Sequence, residues 1–150
     1  MSGPSRFINY NQQVIETFRA NKGVTQGPNR LILLTTTGAK SGQPRTTPLA
    51  YSTDGDKLVI AASKGGAPTN PDWYFNLVAN PIVTIELGAE KFQARATVVK
   101  DEAERQRLYA RHAELMPGFA EYTTKTDRKI PVILLERLDQ GAEESAEASA

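Results

Sequence analysis

Three β-type runs follow one another between residues 30 and 63, and the connections between them are short. "RLILLTTT" (30–37) is followed by "RTTPLAYST" (45–53), and Asp54-Gly55-Asp56 then turns the chain into "KLVIAAS" (57–63). Connections this short join antiparallel neighbours, because a parallel pair needs a crossover of about a dozen residues or more. The first run is apolar on both faces, as suits a strand buried on both sides of a barrel wall. A second hairpin is written in "IVTIEL" (82–87) and "KFQARATVV" (91–99), which alternate around Gly88. "IPVILLERL" is a final strand. No G-x-G-x-x-G follows a strand, so a Rossmann dinucleotide site is not expected. The pattern predicts a mainly β, α+β domain: an antiparallel barrel with helices packed across it.

Helices occupy the intervals. "SRFINYNQQVIETFRAN" (5–21) puts Phe7, Val14 and Phe18 on one face with Ile8 and Ile15 beside them, and Gly23 stops it. Such a helix either lies on the core or forms an amphipathic arm that touches a membrane or a lipid-like substrate. Asn70-Pro71-Asp72 reads as an N-cap, a proline at the first helical position and an acid in the first turn, opening "PDWYFNLVA". Asp101 with Glu104 resembles a capping box, and the helix it opens runs to about Leu115, where Met116-Pro117-Gly118 breaks it. "FAEYTTKTD" reads as a short aromatic segment. Three regions are expected: an N-terminal helix and linker (1–27), the barrel (28–138) and a disordered acidic tail (139–150).

Composition excludes several chemistries. There is no cysteine and one histidine, so neither a disulfide framework, a thiol nucleophile nor a transition-metal site is expected. No G-x-S-x-G elbow is present, and no acid pair stands out for hydrolysis. His112 sits mid-helix among charges and reads as a surface or half-buried residue. No apolar stretch is long enough to span a bilayer, and the N-terminus is unlike a signal peptide, so a cytoplasmic protein is the default. The net charge is +1, but residues 1–70 hold 8 Lys/Arg against 3 Asp/Glu and residues 71–150 hold 10 against 14. The acids of the last twelve residues, "DQGAEESAEASA", account for the whole excess in the second part. The body is mildly basic before residue 70, which favours an anionic ligand but is too weak for duplex nucleic acid.

Three stretches could carry chemistry. In "GAKSGQPR", Lys40, Ser41 and Arg45 offer an ammonium, a hydroxyl and a guanidinium fork at one hairpin tip. The spacing is not that of a P-loop, and the tip is either an anion site or a solvated turn. In "AASKGGAP", Ser63 and Lys64 end a strand, and the glycines let a ligand approach the backbone, unless the loop is simply flexible. In "NPDWYFNL", Trp73, Tyr74 and Leu77 are either core at helical spacing or, for the Trp73 indole, a flank for a flat ring. Anion-gripping loops with few catalytic side chains point to borrowed cofactor chemistry.

"TTTGAKSGQPRTTPLAY", "AASKGGAPTNPDWYFNL" with the following "ANP", and "YTTKTDRKIPV", in this order and spacing, resemble the deazaflavin-dependent nitroreductase family of actinobacteria. The resemblance covers roughly residues 28–138. It implies a split β-barrel related to FMN-binding flavoproteins and the cofactor coenzyme F420, an 8-hydroxy-5-deazaflavin. It implies hydride transfer to a small hydrophobic acceptor: a quinone, an enone, an unsaturated lactone or a nitroaromatic. A non-catalytic F420 carrier and an FMN enzyme of the related barrel family are the alternatives.

The resemblance also assigns residues. Ala39, Lys40, Ser41 and Arg45 would hold the phosphate and the glutamyl tail, with nearby backbone from Thr46, Thr47, Pro48, Leu49 and Ala50. Ala61, Ala62, Ser63 and Lys64 would line the deazaflavin ring. Asp72, Trp73, Tyr74, Phe75 and Asn76 would close the other side. In nitroimidazole-activating members the segment after the proline carries several tyrosines. Here "LMPGFAEY" keeps Tyr122, while Met116 and Phe119 stand where a tyrosine would sit. Phe119 and Tyr122 would then shape the acceptor pocket, with Tyr122 the side-chain proton donor and quinone or enone reduction the work. The expected partners are the acceptor and, through the N-terminal helix, a membrane surface, for a monomer or homodimer.

Overall fold

Alternation along the strands decides the architecture. The computed structural model describes residues 3–23, 30–67 and 69–138, with side chains from residue 11 onward except that of residue 65. Seven strands form one sheet: β1 (Leu31–Thr37), β2 (Pro44–Ala50), β3 (Ser52–Asp54), β4 (Lys57–Ala61), β5 (Ile82–Leu87), β6 (Glu90–Val98) and β7 (Val132–Arg137). Their order is β2-β1-β5-β6-β7-β4-β3, and every pairing is antiparallel. β2 and β3 are the two edges, yet only Tyr51 separates them in the chain. One residue reaches roughly 7 Å between its neighbours. The sheet must therefore roll until its edges meet, which gives the expected split barrel.

Odd and even positions face different cores. Ile32 and Leu34 of β1, Leu58 and Ile60 of β4, and Ile133 and Leu135 of β7 fill the interior with Val83, Ile85, Ala94 and Ala96. Residues between them point outward and are covered by helices, which is why the first run is apolar on both faces. Leu33 is sealed by Ile15 and Phe18 of α1 (Gly3–Ala20). Val59, Ala61 and Val132 pack with Leu108 and Tyr109 of α3 (Glu102–Leu115), and Phe119 and Tyr122 of α4 (Gly118–Lys125) pack against the same cluster.

Helix α1 ends in a Schellman motif: Gly23 N–H donates to Phe18 O, Lys22 N–H donates to Arg19 O, and Lys22 is left-handed at φ 54°. Gly23 then meets the β5–β6 turn so closely that a Cβ would run into the Gly88 backbone. Arg19 holds Glu86 of β5 with two hydrogen bonds, 3.0 and 2.8 Å. Side chains 3–10, including the expected apolar positions Phe7 and Ile8, lie outside the described residues, as do the linker 24–29 and the tail 139–150.

Four readings need correction. The run 45–53 is two strands, because the chain changes sheet edge at Tyr51. The run 57–63 stops being a strand at Ala61, and Lys64–Gly66 is a single 3₁₀ turn. The segment 118–125 is a helix, with Tyr109 Oη donating to Phe119 O at 2.6 Å. His112 is fully buried: its Nδ1 lies 2.7 Å from Ser52 Oγ, and its ring meets Phe119 edge-on with centroids 4.3 Å apart.

Candidate functional site

Helix α2 (Asp72–Ala79) joins the two loops that carry the predicted residues. Asn76, buried on its inner face, accepts Ala39 N–H at 3.0 Å and donates to Thr36 Oγ1 at 3.2 Å. Asn80 Nδ2 reaches Thr37 O at 3.4 Å. The β1–β2 hairpin tip is thus held by α2 as well as by its own bonds, Gly42 N–H to Gly38 O and Gly38 N–H to Gln43 O. Thr35 and Thr46 face each other across the strands, hydroxyl to hydroxyl at 2.7 Å. Lys40 and Arg45 project into solvent from this braced frame, whereas exposed Ser41 turns its Oγ back to accept the Gln43 N–H at 3.1 Å. Neither cation has an ion-pair partner among the described residues. Thr46, Thr47, Pro48, Leu49 and Ala50 lie half-buried along β2.

The second loop leaves β4 through buried Ala61, Ala62 and Ser63 to exposed Lys64. It is gripped from behind by Arg128, whose guanidinium donates to the backbone oxygens of Ala62 (3.0 Å), Ser63 (2.9 Å) and Ala67 (3.0 and 3.2 Å) and to Asn70 Oδ1. Asn70 is therefore not the expected N-cap. Pro71 holds that position and Asn70 spends its amide oxygen on Arg128. Gly66, at φ +84°, lies where a Cβ would stand 2.8 Å from Lys125 Cβ, so α4 packs directly on this loop.

The remaining predicted residues divide by exposure. Trp73 is buried in the barrel core beside Ala62 and Leu77, whereas Tyr74 is half-buried and Asp72 and Phe75 are exposed. Phe119 turns towards α3, stacked edge-on against Tyr109, His112 and Tyr122. Tyr122 is half-buried at the outer end of that stack, with Lys125 Nζ 5.9 Å from its ring. Burial pushes the Tyr109 phenol up to about 12, so it stays protonated and donates to Phe119 O. Burial likewise pushes His112 down to about 4.

A cavity of about 510 Å³ opens at the other end of β1, lined by Arg30, Leu31, Tyr51, Leu87 and Glu90 among others. None of the predicted site residues lines it. β1 runs from Leu31 at this cavity to the hairpin tip, ~20 Å away at strand rise. The cationic loops and the cavity are distinct places.

Sequence reading missed Arg128 as a structural centre. Its only signal is the run "KTDRK", which looks like a solvated charged stretch.

A split barrel with two braced loops, one of them cationic, and few nucleophiles suits a protein that borrows its chemistry from an anionic cofactor. The chain belongs to the F420H(2)-dependent quinone reductase family, whose model matches residues 10–137. It is 45% identical over 108 residues to an F420H(2)-dependent quinone reductase of Mycobacterium tuberculosis, covering 71% of this chain and 72% of that one. Among solved structures it resembles the F420-H2 dependent reductase FDR-A at 44% identity and TM-score 0.64, over 71% of this chain and 93% of the other. It also resembles a chain described as a domain-swapped dimer at 37% identity and TM-score 0.68, over 89% and 100%. The protein is an oxidoreductase and its cofactor is coenzyme F420. Among the described residues no helix is long and apolar enough to cross a membrane.

Proposed function

We propose that the protein reduces quinones and, through the same site, other flat conjugated electrophiles such as enones, with F420 held between the hairpin tip 38–45 and the loop 61–64. The observation that carries this reading is the joint bracing of both loops by α2 and Arg128, with Lys40 and Arg45 left without carboxylate partners among the described residues. A long-stemmed cation pair with no internal partner suits a phosphate and a polyglutamate, to which Arg offers a bidentate fork and Lys a point charge. Bound F420H2 supplies the hydride; the chain supplies position and a dry flank. The side chains of Ala61 and Ala62 are buried on opposite faces, one under α3 and α4 and the other in the barrel interior, so this loop offers the ring its backbone at Ser63 and Lys64. Trp73 packs in the same interior as Ala62 rather than on the ligand side, and Phe75 stands at the exposed margin of α2. Tyr122, at the end of the aromatic stack, is the side chain offered as proton donor.

A similar chain described as a domain-swapped dimer supports a homodimer. Titration of the full chain with oxidised F420, FMN and NADP, followed by anaerobic mixing of the F420H2-loaded protein with menadione, tests the reading. Selective F420 binding and rapid oxidation are expected. Preference for FMN, or F420H2 binding without turnover, would overturn it.

A further inference from the structure

The Arg128 guanidinium spends every one of its five N–H donors on the loop between residues 62 and 70. No carboxylate lies within ion-pair distance of it among the described residues. A cation is therefore coordinated by neutral carbonyls alone. This has a directional result. In a planar trans peptide the C=O and N–H point opposite ways, and the chain has no cis peptide among the described residues. With the Ala62 and Ser63 carbonyls turned onto Arg128, the N–H groups of Ser63 and Lys64 face away from it. Ser63 is right-handed (φ −75°, ψ −38°), which sets these two peptide planes nearly parallel, so both N–H groups point the same way. Lys64 follows in the left-handed region at φ 48°. Right- then left-handed residues form the backbone concavity that binds anionic or electron-rich oxygen. Neither N–H finds an acceptor among the described residues.

We infer that Arg128 is a positioning residue that presets the Ser63 and Lys64 amides as a paired donor for an electron-rich heteroatom of the deazaflavin ring. The inference rests on the proposed placement of F420. Arg128 does not itself touch the ring; it acts through two peptide planes, whose polarity its own unneutralised charge reinforces. A donor pair of this kind favours the reduced ring, which carries two more electrons and is the stronger acceptor. Lysine could keep the charge but has three donors on one nitrogen and cannot hold Ala62, Ser63, Ala67 and Asn70 together.

The test compares Arg128→Lys with the unaltered chain, with Asn70→Ala as the milder variant should Arg128→Lys fail to fold. Dissociation constants are measured for F420 and for F420H2, together with the melting temperature and amide exchange at Ser63 and Lys64 in coenzyme-free protein. Losing one preset donor pair should weaken F420 binding about tenfold and F420H2 binding by more, lowering the midpoint potential of the bound coenzyme. Asn70→Ala should move the same ratio in the same direction by a smaller factor. Unchanged affinities, or equal losses for the two redox forms, would reduce Arg128 to a structural brace and overturn the inference. If the unaltered chain bound no F420 at all, the proposed function itself would fail, a result separate from either.

Discussion

The Asn76 side chain on α2 accepts the backbone N–H of Ala39 at 3.0 Å, and its amide nitrogen donates to Thr36 Oγ1 at 3.2 Å. One buried amide thus ties a helix in the second half of the site to the tip of a hairpin in the first. Removing it leaves a backbone donor and a buried threonine without partners, which costs ~1–3 kcal/mol. Asn76→Leu is accordingly expected to lower the melting temperature and to weaken F420 binding while far-ultraviolet dichroism stays unchanged. Wild-type coenzyme affinity in a folded Asn76→Leu protein would show that the tip needs no brace.

Lys40 and Arg45 are expected to act on binding rather than on the hydride step. Lys40→Ala and Arg45→Ala each remove a charge-assisted hydrogen-bond donor and should cost ~1.5–3 kcal/mol of coenzyme affinity. Binding to the unaltered protein should also weaken as salt rises, since the interacting charges are exposed. Single-turnover rates at saturating F420H2 should change little. A double variant with an unchanged dissociation constant would remove both residues from the site.

His112 makes stability depend on pH. Its folded pKa of about 4 lies below the unfolded value, so the unfolded chain takes up the proton first. The stability due to the neutral ring is complete above ~6.5 and is lost as pH falls towards 4, up to about 3 kcal/mol. Urea unfolding at steps from pH 7 to 4 should trace this decline, and His112→Asn, which keeps a partner for Ser52 Oγ, should flatten it. A wild-type curve with no slope in that window would mean that the ring is solvated.

Helix α1 is attached through its C-terminal half. Phe18, 2% exposed, covers Leu33 together with Ile15. Phe18→Ala should cost ~3–5 kcal/mol, as large core truncations do. Arg19→Ala removes a pair whose guanidinium is half exposed and should cost only ~0.2–1 kcal/mol. Chemical denaturation separates the two. A small effect of Phe18→Ala would favour an arm that swings free of the barrel.

Tyr122→Phe should slow enone reduction while leaving coenzyme affinity and melting temperature alone, because no hydrogen bond of its hydroxyl is seen among the described residues. A positioned donor contributes ~10²–10⁴-fold, and solvent entering the site would shrink that factor. Full activity in Tyr122→Phe would make water the proton source.

Much of the architecture can be read from alternation and turn residues. The hairpins at 30–63 and 82–99 and the capped start of α3 were legible, and Asp101 does accept the Glu104 N–H at 2.9 Å. The break at Tyr51 was not, because Ala50-Tyr51-Ser52 contains neither glycine nor proline and the change of edge depends on the whole sheet rolling. Helix α4 escaped because Thr123, Thr124 and Tyr122 are strand-leaning residues and eight residues are too few for a periodic signal. His112 looked solvated beside Arg111 and Glu114; its burial comes from β3, sixty residues earlier. The cationic tip at Lys40 and Arg45 stood out by composition, whereas Arg128 did not. Five bonds to residues 58 to 66 positions away leave no local trace.

β7 lies between β6 and β4, although it follows every other strand in the chain. During synthesis, a nascent chain lacking Val132–Arg137 is two pieces, a four-stranded sheet and a two-stranded ribbon, each with an unpaired edge. The barrel cannot close until the ribosome has delivered this strand, and the two pieces wait for it with their facing edges open. Until then β4 from Leu58 to Ala61 and β6 from Ala94 to Val98 lack their partner strand, and open edges of this kind are what a chaperone shields in a growing polypeptide.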